Sequence, residues 1–149
     1  MTISEVCNRE VIIIQRDETV LKAAKLMRHH HVGNVIVVDE RNGSRIPVGI
    51  VTDRDIVVEI ISTELDPKVM TVGDIMTPEF FTAKKSMELF EAIQFMRSKS
   101  IRRLPVVNEA DELIGILTLD DVLELLSEEM VDLVKLVRYE QKEETLHRP

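Results

Sequence analysis

Seven residues, Gly49-Ile50-Val51-Thr52-Asp53-Arg54-Asp55, return in near copy as Gly115-Ile116-Leu117-Thr118-Leu119-Asp120-Asp121. Self-similarity on this scale means that one supersecondary unit has been used twice. Each copy is an apolar run led by Gly, then a Thr, then an Asp three residues later. A buried strand ends there, the Thr takes a helix N-cap, and the carboxylate falls in the first helical turn, near the positive end of the helix dipole. The likeness extends upstream: at an offset of 69, Ala23 meets Ala92, Met27-Arg28 meets Met96-Arg97, and Val37-Val38 meets Val106-Val107. Between those strands and the glycines the first copy holds three extra residues, so the offset becomes 66. An insertion at a surface turn is what a structural repeat tolerates.

The order within each copy reads strand, helix, strand, strand, helix. Val11-Ile12-Ile13-Ile14 is β-branched and extended. Asp17 to Thr19 supplies cap residues for a helix whose apolar face is Val20, Ala23, Ala24 and Met27, and His29-His30-His31 ends it. Val35 to Val38 and Val48 to Val51 form a hairpin around a turn at Glu40 to Ser44. The helix opened by Thr52 carries Ile56, Val57, Ile60 and Ile61. In the second copy Phe80-Phe81-Thr82 stands for Val11 to Ile13, Ser86 is the cap, and Leu89, Ala92, Ile93 and Met96 form the face. Leu104 to Val107 and Leu113 to Ile116 make the hairpin. Pro67, within the linker Glu64 to Lys68, stops the first closing helix.

The expected fold class is therefore α/β (α+β), with a first repeat at 1–64, a second at 65–127, and a C-terminal helical extension at 128–149 with a frayed polar tail from Gln141. Each half is too small to bury both faces of a three-stranded sheet. Two related halves packed about a pseudo-twofold axis would solve that and leave two matching clefts at the seam.

Composition removes several function classes. With 44% apolar and 31% charged residues the chain is ordinary globular material, and no apolar run approaches the ~20 residues of a membrane span. A net charge of −8 argues against broad binding to nucleic acid or anionic membranes. Aromatic residues at 3% leave little on which to stack bases. The single Cys7, and an N-terminus without a basic and apolar leader, fit a reducing cytoplasm. Met1 directly before the first repeat, and the short stretch after the second, point to a stand-alone protein.

Thr52-x-x-Asp55 and Thr118-x-x-Asp121 match the capping box, and one alone would be structural. Two in register, each behind Gly-Ile, carry more. The Gly clears a side chain where something can approach the backbone, and an Asp can accept both hydroxyls of a ribose. Adjacent N–H groups and the Thr hydroxyl suit a phosphate or ribose oxygen. Arg97, Lys99, Arg102 and Arg103 concentrate positive charge before the second hairpin. The three consecutive histidines point about 100° apart and do not converge on a metal. No nucleophile-base set is present, Cys7 has no evident base, and the methionines sit at core-like positions. Across the end of the second repeat, Leu123, Leu126, Met130, Leu133 and Val137 step +3, +4, +3, +4. This stripe reads either as a last helix docked on its own module or as a dimer contact.

Together these motifs, with Val-Ile-Val-Val-Asp, Leu-Pro-Val-Val-Asn and Asp-Ile-Met-Thr-Pro at Asp74 to Pro78, resemble a tandem pair of CBS domains, a Bateman module, from about Ser4 to Ser127. The resemblance implies sheets packed face to face and a non-enzymatic regulatory module without a catalytic cofactor. It implies an adenosine-containing ligand, AMP, ADP, ATP or S-adenosylmethionine, in the seam clefts. Carried over, Thr52, Asp55, Thr118 and Asp121 serve ribose and phosphate, and Arg102 and Arg103 the phosphates. Ile12, Ile13, Ile14, Phe80, Phe81, Thr82 and Ala83 line the adenine. Gly33-Asn34, where the second copy has Arg102-Arg103, departs from the pattern and makes the two clefts unequal. A disc-shaped homodimer and a regulated protein partner are further implications. The alternative of another class is a structural association module with vestigial pockets, which dimerises or scaffolds a partner through the Leu123–Val137 stripe.

Overall fold

The computed structural model describes residues 1–77 and 79–148. Met1–Leu117 forms one compact body and Thr118–Pro149 a second.

The first body contains two three-stranded sheets. One has strands in the order β1 (Ile13–Gln15), β2 (Asn34–Arg41), β3 (Ser44–Thr52); the other runs β4 (Ala83–Lys84), β5 (Arg103–Val107), β6 (Leu113–Thr118). Helices α2 (Val20–His30) and α5 (Leu89–Lys99) are the crossovers. They join β1 to β2 and β4 to β5, which pair in parallel, as a helical connection between neighbouring strands requires. The β2–β3 hairpin is antiparallel and turns on Asn42 and Gly43 alone, both at positive φ. The expected five-residue turn is thus shorter, and Glu40, Arg41 and Ser44 belong to strands. The β2–β3 register shifts between Val37 and Val38.

Alternation along β2 explains why these strands are apolar throughout. Val35 and Val37 enter a core with Ile14, Val20, Ala23, Met27, Val51 and Ile60. Ile36 and Val38 point the other way and meet Ile116 of β6, with Ile13 and Leu113 at the margin. Both faces of the sheet are buried, the second against the other repeat. The copies bury matching residues at the offset of 69: Val20 and Leu89, Ala23 and Ala92, Met27 and Met96, Val35 and Leu104, Val37 and Val106.

Two short helices close this body by exchange. Helix α1 (Ile3–Val6) opens the first repeat in sequence but bonds to the second: the Ile3 N–H donates to Met87 O at 2.9 Å and the Ser4 N–H to Lys85 O at 3.3 Å. Helix α4 (Val72–Ile75) opens the second repeat and bonds to the first, Val72 N–H to Glu18 O at 2.9 Å and Gly73 N–H to Arg16 O at 3.0 Å. These bonds are equivalent at the offset of 69, an approximate twofold written in hydrogen bonds. Each exchanged helix starts with a reciprocal capping box, Thr2 with Glu5 and Thr71 with Asp74. Val72 and Ile75 then join the first core.

Several local expectations change. The first strands begin later than the apolar runs, at Ile13 and Ala83, leaving Val11-Ile12 and Phe80 to Thr82 outside them. The N-cap of α5 is Glu88, at the offset from Thr19, and not Ser86; Glu88 makes no side-chain cap bond, whereas Thr19 accepts from the Lys22 N–H. The closing helix of the first repeat is α3 (Asp53–Ile56) continued by a π-helical turn, Val57–Ile61. The wider turn breaks the 3.6-residue register, so Ile60 is buried while Val57 and Ile61 are exposed.

The second body is dominated by α6 (Leu119–His147). The expected fraying from Gln141 is corrected: the helix runs through that polar segment to His147, with Thr145 Oγ1 donating to Gln141 O at 2.9 Å. Pro149 and Pro78 lie outside the described residues. The stripe residues Leu123, Leu126, Met130, Leu133 and Val137 are 42–62% exposed.

Candidate functional site

The Thr52–Asp55 turn sits at the end of β3, where Thr52 is the register partner of Asn34. The Thr52 Oγ1 accepts from the Asp55 N–H at 3.2 Å, and Asp55 Oδ2 accepts from the Thr52 N–H at 2.8 Å. The box is complete, and it occupies one of the two carboxylate oxygens. Beside it the Asp53 N–H donates to Gly33 O at 3.0 Å. Thr118 repeats half of this geometry: its Oγ1 accepts from the Asp121 N–H at 3.1 Å. Among the described residues Asp121 makes no return bond, so its carboxylate oxygens are uncommitted where one of Asp55 is spent.

Arg103 is carried by β5 of the second repeat, yet its guanidinium reaches the first. A Cβ placed on Gly33 would lie 3.6 Å from Arg103 Nη2 and 3.2 Å from Asp53 Oδ2. The absent side chain at Gly33 thus leaves a gap flanked by one cation and one anion. Ile12 is at this same end of the sheet, its carbonyl accepting from the Ile36 N–H at 2.9 Å. One sheet end therefore assembles Thr52, Asp55, Arg103 and the Ile12 backbone. The role of Gly33 and Asp53 was missed in the sequence, although Asp53 lies inside the repeated motif. Arg102 is exposed.

The other expected adenine-side residues divide by burial. Ile14 and Ala83 are each only 2% exposed, so they can offer backbone but not side-chain surface. Ile13 packs at the margin of the core between the sheets. Phe80, Phe81 and Thr82 are half-buried; the Phe81 ring meets Phe95 edge-on at 5.8 Å, and the Lys99 ammonium stands 5.1 Å over it. A hollow of about 340 Å³ is lined by Ile13, Ile14, Gln15, Asp17, Glu18 and Val38. It lies at the opposite end of the sheet from Thr52, because β2 places Val38 four residues, about 13 Å, from Asn34. Its acids also disfavour a phosphate.

The glycines of the repeated motif have a different neighbour from the one expected. A Cβ on Gly49 would lie 2.7 Å from Met76 Sδ, and one on Gly115 would lie 2.8 Å from both Asn8 O and Cys7 Sγ. What approaches these backbones is the exchanged segment, not an open cleft. Cys7 and Met76 are equivalent at the offset of 69, and burial raises the Cys7 thiol above its ordinary pKa. The histidine run ends α2, with His31 in the left-handed region at φ 54°. Among the described residues no cluster is suited to hold a metal ion, and no helix is long and apolar enough to cross a membrane.

The CBS domain family model matches the chain twice, over residues 3–62 and 72–128. An uncharacterized protein of Methanopyrus kandleri is 38% identical over 125 residues, 84% of this chain and 62% of that protein; the chain thus spans less than two thirds of that relative. The CBS domain-containing protein YhcV of Bacillus subtilis is 31% identical over 121 residues, 81% of this chain and 82% of YhcV. The solved CBS domain pair of protein MJ0100, in complex with 5′-methylthioadenosine and S-adenosyl-L-methionine, has the same fold at a TM-score of 0.75 and 23% identity, over 87% of this chain and 98% of that one. With the doubled Thr-x-x-Asp turn and the exchanged helices, these matches make the chain a member of the CBS domain family, carrying two such domains in tandem.

Proposed function

We propose that the chain is a non-enzymatic regulatory module of the cytoplasm, with its repeats at 1–64 and 65–127, that binds an adenosine-containing ligand and passes its occupancy on through a change of shape or association. The observation that carries this reading is the meeting of Arg103 with the Thr52–Asp55 turn across Gly33. A carboxylate oxygen for a ribose diol and a guanidinium for a phosphate or carboxylate lie at one sheet end. Arginine suits that task because its planar fork matches such anions in two bonds. Asp121 offers a second, differently equipped ribose acceptor beside Thr118.

The test is a thermal-shift titration with adenosine, AMP, ADP, ATP and S-adenosylmethionine. A ligand at 100 times its Kd adds about 2.7 kcal/mol, which is roughly 5–11 °C in a chain of this size. Arg103→Ala is expected to reduce the shift by AMP or ATP and to leave that by uncharged adenosine unchanged. No shift with any of the five would sink the reading. The exposed stripe on α6 supports an association role alongside it, with a homodimer as the first candidate and a regulated partner protein as the second.

A further inference from the structure

The gap at Gly33 is bordered by two opposite charges, and a phosphate would use only one of them. Asp53 Oδ2 lies 3.2 Å, and Arg103 Nη2 3.6 Å, from the point that a Cβ on Gly33 would occupy. Both groups therefore face one small space, yet among the described residues they form no ion pair with each other. Asp53 has a structural task, but Oδ1 performs it, accepting from the Arg54 N–H at 2.9 Å. That leaves Oδ2 toward the gap. Arg103 is half-buried at the start of β5.

The second copy does not repeat this arrangement. At the offset of 69 Arg102 stands for Gly33, and at the offset of 66 Leu119 stands for Asp53. The small residue and its carboxylate belong to the first repeat alone, and the guanidinium is brought in from the second. A carboxylate so placed opposes a bound phosphate while the guanidinium attracts it. A triphosphate, with more charge to place, fares worse than a monophosphate. A carbon that carries both an ammonium and a carboxylate satisfies each side: the ammonium donates to Asp53 Oδ2, and the carboxylate accepts from Arg103 in a charge-assisted pair. Asp55, the ribose acceptor of the reading above, is two residues along the same turn, so one small molecule can use both.

We propose that Asp53 and Arg103 together select the tail of the ligand, and that the ligand class is adenosine carrying an α-amino acid on its 5′ side, not a nucleoside polyphosphate. This rests on the adenosine reading above and narrows it. Asp53 is the specificity residue, acting by repulsion of phosphate as much as by attraction of the ammonium. Gly33 keeps the space open. It is not at positive φ, so an alanine is conformationally allowed there and fills the gap without removing either charge.

Isothermal titration of the full chain with S-adenosylhomocysteine, 5′-methylthioadenosine, AMP and ATP tests the selection. The first two share an uncharged adenosyl thioether and differ in the amino acid. The wild type is expected to bind S-adenosylhomocysteine about 10-fold or more tightly than 5′-methylthioadenosine or AMP, the worth of one charge-assisted hydrogen bond, and ATP most weakly. Asp53→Asn, Arg103→Met and Gly33→Ala are each expected to lower the ratio of S-adenosylhomocysteine to 5′-methylthioadenosine affinity toward one. Asp53→Asn alone is expected to raise the affinity for AMP and ATP. Thermal unfolding without ligand checks that each variant is folded. Tighter binding of AMP or ATP than of S-adenosylhomocysteine, equal binding of the two thioethers, or an unchanged ratio in Asp53→Asn would overturn the proposal and leave the adenosine reading standing. Failure of all four compounds to bind would overturn both.

Discussion

Gly115 and Gly49 occupy equivalent places, but a methyl group would meet different obstacles at each. At Gly115 it meets the Asn8 carbonyl, held by the paired 2.9 Å bonds between Asn8 and Ile116, so backbone must move. At Gly49 the nearest atom is the Met76 sulfur, the end of a flexible side chain. Gly115→Ala is therefore expected to cost about 1–3 kcal/mol and Gly49→Ala less than about 1, read as urea midpoints; equal losses would contradict the placement. Acid sensitivity is also set residue by residue. The Arg16 guanidinium, which donates to Asp39 at 2.6 and 2.9 Å, holds the Asp39 carboxyl below the usual carboxylate range. The Thr71 N–H does the same for Asp74. A carboxyl with a lowered folded-state pKa stabilises the fold above its unfolded pKa and loses that contribution as pH falls through the folded value. The stability gap between wild type and Asp39→Asn is expected at pH 7 and should narrow as the pH falls below the usual aspartate range. A gap unchanged at pH 2 would contradict the ion pair.

Among elements, the two Thr-x-x-Asp turns look alike in sequence and differ in commitment. Asp55 completes its capping box and Asp121 does not. Asp55→Ala should therefore destabilise the protein by about 1 kcal/mol, with Asp121→Ala closer to neutral by the same denaturation assay; the reverse order would show that the boxes are misassigned. The element order was legible because periods of 2 and 3.6 alternate cleanly and the second copy checks the first. The π-turn at Val57–Ile61 was not, since an apolar face drawn at 3.6 residues per turn places Val57 and Ile61 inward. Ser86 was a natural cap by residue type, but the offset from Thr19 points to Glu88, and the repeat was the better guide.

Over the whole molecule, the duplication predicted two like halves and a pseudo-twofold, and missed that the halves trade their leading helices. The signal was there: Thr2-x-x-Glu5 and Thr71-x-x-Asp74 are capping boxes at the offset of 69, each at the head of its repeat. Composition could not say that α1 would bond to Met87 and α4 to Glu18, because that choice is made by tertiary packing. A repeat as a stretch of sequence and a repeat as a packed unit are consequently different objects in this chain. Arg103 follows the same rule, belonging to the second copy and reaching the end of the first. Whether that meeting makes a ligand site is decided most directly by isothermal titration of the wild type, Asp55→Ala, Asp121→Ala and Arg103→Ala proteins with AMP, ATP and S-adenosylmethionine. Saturable binding by the wild type, lost at one aspartate and weakened at Arg103, is the expected result. Absence of binding, or binding that all three substitutions leave intact, would contradict it.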